Sequence, residues 1–308
     1  MAERLRFGIL GAADIARKAL IPAIEAAGNA ELVALASRDV ERGRRLFSGA
    51  VHGDYQTLLD DRNVDAVYLP LPNNLHLEWT LRALAAGKHV LCEKPLALTA
   101  AEAEELAAAA LSSGRVLMEA FMYRFHPRIK SVVADLRRNP PPELSARFGF
   151  SLDAPGNYRL DPALGGGALL DVGCYTINLA RWILGEPAWV EASGRVAGVD
   201  MTVDIRLGFP SGARAHLFAS FETPETQELR AGDLVIDRPF TAPREPVDAY
   251  RVMVEEFSAA ALGGLAAPLS IEDSIANLRV VDAVRRCLET GDRHDLAEAG
   301  EGRPPVTQ

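Results

Sequence analysis

The segment Glu93-Lys94-Pro95 follows directly on an apolar run, His89 to Cys92, that reads as a short buried strand. A lysine at the carboxyl end of a strand in an open parallel sheet stands at the mouth of a cleft, where ligands bind. Upstream, Gly8-Ile9-Leu10-Gly11-Ala12-Ala13-Asp14-Ile15-Ala16 reads as a nucleotide-binding turn. Its Gly11-x-Ala13-x-x-Ala16 core matches the dinucleotide fingerprint, except that alanine replaces the second glycine, whose role is to let backbone approach the pyrophosphate. The phosphates can still meet the N–H groups at the start of the next helix, around Ala13, Asp14 and Ile15, where the helix dipole favours negative charge. Small residues at a strand-to-helix turn also serve tight packing, so the motif gains its meaning from its place after the first strand of an alternating chain. With Glu93 beside it, Lys94 then faces a bound nicotinamide, and the pairing points to hydride transfer.

The second strand ends in Ser37-Arg38, with Asp39 one residue later. An NAD enzyme usually offers a carboxylate to the ribose 2′-hydroxyl here, whereas a hydroxyl and a guanidinium suit a 2′-phosphate. This predicts NADP (NADPH) as the preferred cofactor, with NAD the alternative. In the competing reading Arg38 is a solvated charge and Asp39 takes the ribose.

A third chemical block runs from Gly165-Gly166-Gly167 through Asp171-Val172-Gly173-Cys174-Tyr175 to Asn178 and Trp182. As a helix it puts Asp171, Tyr175, Asn178 and Trp182 on one stripe, and Leu169, Val172, Leu179 and Ile183 on another. Tyrosine and lysine ordinarily titrate at about 10 and 10.4, too high for base work near neutrality. An ammonium stabilises a phenolate, so Lys94 beside Tyr175 would form an acid and base pair, with Asp171 orienting the lysine or a substrate hydroxyl. Singly, each has a plainer reading: a surface charge, a helix cap and a packing ring. Their combination carries the inference.

These residues need a frame that brings strand ends together. Over the first 120 residues short β-like runs alternate with helical patterns, which argues for a doubly wound parallel sheet in an α/β fold. The strands are expected at Leu5 to Leu10, Glu31 to Ala36, Ala66 to Leu69, His89 to Cys92 and Val116 to Met118. The helices are expected near Asp14 to Ala27, kinked at Pro22, then Val40 to Phe47, His76 to Ala86 and Ala100 to Ser112, the last opened by a Thr99-x-x-Glu102 capping box. After Glu119 the rhythm changes. Asn139-Pro140-Pro141-Pro142 stops a helix and introduces a strand at Glu143 to Ser151. Trp189 to Gly198, Met201 to Phe209 and Ala213 to Phe221 alternate as a mostly antiparallel open sheet, with a hairpin turn at Phe209-Pro210-Ser211-Gly212. Helices are expected at Gly167 to Leu184, Asp248 to Leu262 and, capped by Ser270, Ile271 to Thr290. The glycine- and proline-rich tail from Glu298 reads as frayed.

At 308 residues and 48% hydrophobic content the chain can bury two cores. Its net charge of −9 argues against nucleic acid. No apolar stretch approaches the roughly 18 residues of a membrane span and the N-terminus has no signal core, so a cytoplasmic protein is expected. Cys92, Cys174 and Cys287 sit singly in apolar surroundings, which fits a reducing compartment, and no set of ligands has metal spacing.

Gly8 to Ala16, Gly87-Lys88-His89-Val90-Leu91-Cys92-Glu93-Lys94-Pro95, Glu119-Ala120-Phe121-Met122-Tyr123-Arg124-Phe125-His126-Pro127 and Gly165 to Asn178 together resemble the glucose-fructose oxidoreductase, inositol dehydrogenase and MocA family, over nearly the full length. The nearest branch is that of NADP-dependent sugar dehydrogenases and trans-dihydrodiol dehydrogenases. The resemblance implies a Rossmann domain at residues 1–121 and a substrate-binding and dimerisation α+β domain at 122–308, whose last helix packs back on the first. It implies that Lys94 and the Asp171-x-x-x-Tyr175 pair act at the substrate carbon, and that the substrate is a sugar, polyol or cyclic trans-diol. It also places Arg124 and His126 in the substrate cleft, puts Leu71-Pro72-Asn73 beside the nicotinamide, and suggests a homodimer or higher homo-oligomer. His76 lies nearby, as a cofactor contact or as a helix cap. The stretch Phe221 to Asp248 is shorter than the family pattern. Two rival activities share the scaffold: a redox-elimination glycosidase using tightly held NAD, and a non-catalytic dinucleotide sensor.

Overall fold

The computed structural model describes residues 3–296 apart from residues 242, 243 and 245. The tail from Glu298 lies outside the described residues. The first half is a six-stranded parallel sheet of β1 (Leu5–Leu10), β2 (Ala30–Ala36), β3 (Ala50–His52), β4 (Ala66–Leu69), β5 (His89–Cys92) and β6 (Leu117–Glu119). Its order is β3-β2-β1-β4-β5-β6. The chain therefore winds outward from β1, returns to β4 and winds the other way, and a crevice opens at the carboxyl ends between β1 and β4. The alternation of strand side chains feeds two cores: Phe7, Ile9, Tyr68 and Leu91 join one, while Leu10, Val67, Leu69 and Cys92 join the other.

The connecting helices are α1 (Ile21–Ala26), α2 (Val40–Leu46), α3 (Tyr55–Asp60), α4 (His76–Ala85) and α5 (Ala100–Ser113). The kink expected at Pro22 is a π-helical turn, Ala16–Leu20, ahead of α1. Pro22 has no N–H for the Lys18 carbonyl, and Arg244 donates to that oxygen instead at 2.8 Å. At the head of α5, Thr99 Oγ1 accepts from the Glu102 N–H and the Glu102 carboxylate accepts from the Leu98 N–H, one residue before the expected partner. Neither β3 nor α3 was foreseen, and β6 lies one residue later than expected. β3 is a short edge strand with no fully buried residue, so it leaves no apolar run to read.

The second half opens with α6 (Pro127–Arg138), which ends at the proline run as expected, then β7 (Glu143–Ser151) and α7 (Cys174–Leu184). The sheet is completed by β8 (Trp189–Ala197), β9 (Val199–Gly208), β10 (Arg214–Ser220), β11 (Glu222–Ala231) and β12 (Leu234–Asp237). Two long helices, α8 (Ala249–Gly263) and α9 (Ile271–Thr290), and the short β13 (His294–Asp295) finish the described chain. The order is β12-β11-β7-β10-β9-β8-β13, antiparallel throughout except for the parallel β7 and β10. The segment Phe221 to Asp248 supplies β11 and the edge strand β12.

Both final helices return to the first sheet. On α8, Phe257 packs against Phe7 of β1, ring centres 5.8 Å apart. On α9, Leu278 enters the first sheet's core with Ala103 and Leu106, and Asp282 accepts the Ala100 N–H at 2.9 Å. The three cysteines are free and buried. Among the described residues no helix is long and apolar enough to cross a membrane.

Glu119, at the end of β6, is buried where α9 meets the first sheet, and its carboxylate accepts the Leu96 N–H at 2.8 Å. Burial pushes its carboxyl up to about 7. The folded protein therefore binds more protons than the unfolded chain from the ordinary glutamate value up to neutrality, and stability falls as pH rises through that window. Glu119→Gln keeps the acceptor oxygen and removes the charge. Urea unfolding should show the variant more stable than the parent at pH 8, by on the order of 3 kcal/mol, with a smaller gain at pH 5. An equal gain at both pH values would contradict the burial argument.

Candidate functional site

At the carboxyl ends of the first sheet a cavity of about 1140 Å³ runs from the β1 turn across to α7 and β7. At one end, Gly11 has φ +113°, and a Cβ there would come within 3.0 Å of Leu71 Cδ2, so glycine meets both a backbone and a space requirement. Ala13, Asp14 and Ile15 line the cavity at the head of the helical segment that follows. At the far end lie Ser37, Arg38, Asp39, Arg42 and Tyr55. The Asp39 carboxylate accepts the Arg42 N–H at 2.9 Å and caps α2. That leaves two guanidinium-bearing residues, Arg38 and Arg42, beside the Ser37 hydroxyl, a donor set suited to a phosphate.

The other end holds Lys94, Asp171 and Tyr175. Lys94, just past β5, donates from Nζ to Asp171 Oδ1 at 2.9 Å and to the Asp171 carbonyl at 2.7 Å. Arg159 donates from Nε to Asp171 Oδ2 at 2.7 Å. Asp171 lies within a π-helical turn, Leu169–Gly173, that precedes α7. Such turns interrupt regular helix spacing and recur at functional sites. Burial opposes ionisation of Asp171, but the two cations outweigh it and hold its carboxyl below the ordinary value. Burial likewise works against the Lys94 ammonium, and the Asp171 carboxylate reverses the sign and raises its pKa. Next to them, Glu93 is raised by burial and accepts a hydrogen bond from the Tyr68 hydroxyl at 2.5 Å.

The Lys94 ammonium sits over the face of the Tyr175 ring, 5.1 Å from its centre, rather than against the hydroxyl. The Tyr175 ring packs among Phe121, Tyr123, Phe148 and Phe240. Burial there pushes the phenol well above its ordinary value. The expectation that Lys94 lowers it is therefore corrected, because the ammonium is committed to Asp171 and desolvation dominates.

Of the residues expected at the site, Gly11, Ala13, Asp14, Ile15, Ser37, Arg38, Leu71, Pro72, Asn73, Glu93, Lys94, Asp171 and Tyr175 all line this cavity. Three others do not. His76 is fully buried, its ring nitrogens 2.7 Å from the Pro95 carbonyl and 2.9 Å from the Leu71 carbonyl, so it braces two cavity walls from behind. Arg124 turns away to Asn178 and Asp273 and stacks on Trp182. His126 caps α6 by accepting the Arg128 N–H. Asn178 and Trp182 follow Arg124, so the stripe drawn with Asp171 and Tyr175 divides between two sites.

Arg42, Tyr55, Phe148, Phe150, Tyr158, Arg159, Gln227 and Tyr250 line the cavity without having been foreseen. Tyr158 and Arg159 precede the glycine run closely enough for spacing to have found them. Gln227 is a buried polar side chain on β11, a pattern break that a strand reading can register. The remainder come from elements whose arrangement only folding decides. Among the described residues no group of three or more potential metal ligands converges.

Comparison with known proteins agrees with this geometry. Residues 5–121 match the oxidoreductase family with an NAD-binding Rossmann fold, and residues 125–232 match the GFO/IDH/MocA C-terminal domain. The chain is 38% identical to D-xylose 1-dehydrogenase (NADP(+)) 2 of Haloferax volcanii, across 95% of this chain and 100% of the relative. It is 36% identical to dTDP-3,4-didehydro-2,6-dideoxy-alpha-D-glucose 3-reductase of Actinomadura kijaniata, across 92% of this chain and 96% of that one. A solved structure of a 3-ketoreductase from Actinomadura kijaniata, in complex with NADP and TDP-benzene, superimposes with a TM-score of 0.87 at 35% identity, covering 92% of this chain and 98% of that one. With both halves matched and the sheet order of such a fold in place, this chain belongs to the GFO/IDH/MocA family of oxidoreductases with an NAD-binding Rossmann domain.

Proposed function

We propose that the protein is an NADP-dependent dehydrogenase or reductase acting on a CH–OH carbon of a sugar, polyol or cyclic trans-diol. The observation that carries this reading is the single cavity joining the Gly11 turn and Ser37-Arg38 to the Lys94, Asp171 and Tyr175 cluster. Gly11 leaves the space a pyrophosphate needs, and Arg38 with Arg42 supplies cations for a 2′-phosphate, so the residues fit the dinucleotide. Leu71, Pro72 and Asn73, which line the cavity, would border its nicotinamide end. When bound, NADP supplies the hydride chemistry.

The chain's own residues manage the proton and the geometry. Lys94, held as an ammonium by Asp171, donates to the substrate oxygen and orients it. Tyr175 is the proton carrier. Its raised pKa keeps the phenol protonated at neutrality, which suits delivery of a proton to a carbonyl oxygen during reduction. Oxidation needs the reverse transfer and is favoured as pH rises. Aromatic walls from Phe148, Phe150, Tyr158 and Tyr250 exclude water and pack against a ring.

The reading is tested by initial rates of nicotinamide reduction with NADP or NAD across aldoses, inositols and cyclic trans-diols, and of ketone reduction with NADPH. Turnover with one class is the expected outcome; cleavage of a chromogenic glycoside without net nicotinamide change would favour the glycosidase instead. Tyr175→Phe should keep NADP binding and lose about 100- to 10,000-fold in kcat, the usual weight of a general acid or base. Near-parental turnover would remove Tyr175 from the mechanism. In the parent enzyme the oxidative kcat should climb steadily from pH 7 to 10 while the reductive kcat stays level near neutrality. Arg38→Ala should reduce the kcat/KM preference for NADP over NAD by about 10- to 100-fold, the weight of a charge-assisted hydrogen bond, and an unchanged preference would return the ribose to Asp39.

A further inference from the structure

We infer that Arg159 donates to a second substrate oxygen, on the carbon next to the reacting one, and so selects vicinally oxygenated substrates. The inference rests on the dehydrogenase reading above. The glycine run Gly165-Gly166-Gly167 lines neither the phosphate end nor the reacting cluster. The Gly167 N–H donates to the Arg159 carbonyl at 2.9 Å, and the Gly166 N–H donates to the Asp161 carbonyl at 3.0 Å. A Cβ on Gly166 would lie 2.5 Å from the Arg159 carbonyl oxygen, a rigid backbone atom that cannot give way. The glycines thus let the Tyr158–Leu160 turn dock on the head of the segment that carries Asp171.

Docked there, Arg159 lines the cavity with its side chain 32% exposed and its guanidinium 4.8 Å from the centre of the Tyr158 ring. Its Nε is committed to Asp171 Oδ2, while Lys94 takes Oδ1. Among the described residues no acceptor takes Nη1 or Nη2. A planar guanidinium anchored through Nε holds its remaining donors in fixed directions. The Asp171 carboxylate therefore spaces two donor groups, Lys94 on one oxygen and Arg159 on the other. If the reacting oxygen meets Lys94 and Tyr175, the neighbouring oxygen falls to Arg159. A site built to hydrogen-bond a hydroxyl rejects the analogue that lacks it.

The test uses the purified full chain with NADP and two matched pairs: trans-cyclohexane-1,2-diol against cyclohexanol, and D-glucose against 2-deoxy-D-glucose. The parent should prefer the vicinally oxygenated member of the pair it turns over by about 10- to 100-fold in kcat/KM, as expected for a charge-assisted hydrogen bond. Arg159→Met should bring that ratio close to one, and Arg159→Lys should retain part of it, with NADP affinity unchanged in both. A ratio that survives in Arg159→Met, whatever happens to the absolute rate, overturns the inference and leaves Arg159 only positioning Asp171. Should Arg159→Met fail to fold, Arg159→Lys decides: a ratio reduced from the parent's supports the inference, and a ratio equal to the parent's overturns it. A parent enzyme silent on all four alcohols and on the wider panel overturns the dehydrogenase reading and this inference together.

Discussion

The Asp171 carboxylate, almost wholly buried and shared between Lys94 and Arg159, is the interaction on which the site depends. Isolated, a carboxylate at that depth would take up a proton, and an isolated lysine would lose one. Each is kept charged by the other, and Lys94 together with Arg159 holds the Asp171 carboxyl below its ordinary value. The cluster also joins the two halves of the molecule, because Lys94 follows β5 of the first sheet while Asp171 and Arg159 belong to the second half. Truncating one partner of such a pair costs more than the pair is worth, since it leaves a charge without compensation in a poorly solvated place. The candidate site and the docking of the two halves are thus held by the same bonds.

Around that cluster the fold works to keep the two halves in register. Late in the chain, α8 packs on the first sheet through Phe257 on Phe7, and α9 packs on α5 through Leu278. A second polar junction centres on Asp273 at the start of α9, which receives Arg124, Arg181 and Asn178. His76 ties the Pro95 carbonyl to the Leu71 carbonyl behind the cavity. Several residues that carry charge or titrate are therefore spent on alignment, and this is why Arg124 and His126 stand outside the cavity despite their place in a chemically suggestive segment.

Much of the first sheet could be read from the chain because its strands are buried on both faces. Leu5 to Leu10, Ala66 to Leu69 and His89 to Cys92 are continuous apolar runs bounded by turn residues, and burial on two faces leaves no other pattern. The second sheet was readable for the complementary reason: β9 and β10 alternate because one face is buried and the other is solvated. β3 and α3 escaped because their side chains are mostly exposed or half-buried, so hydrophobic periodicity has nothing to mark. The two π turns escaped because residue types do not announce one extra residue in a helical turn. Pro22 signalled an interruption near the first of them without specifying its form.

By itself the sequence determined the glycine turn at Gly11, the strand end that carries Lys94, and the placing of Asp171 and Tyr175 in one segment. Those assignments are local: each needs a residue type at a fixed spacing from a strand or helix end. Only the tertiary structure decided that Lys94 bonds to Asp171 and lies over the face of Tyr175, that Arg159 shares the same carboxylate, and that His76 faces backward into the core. Those outcomes turn on which distant segments meet, and on how burial and neighbouring charge then trade against each other at one atom. Spacing along a chain specifies direction within an element. It does not specify the partner that waits across the cleft.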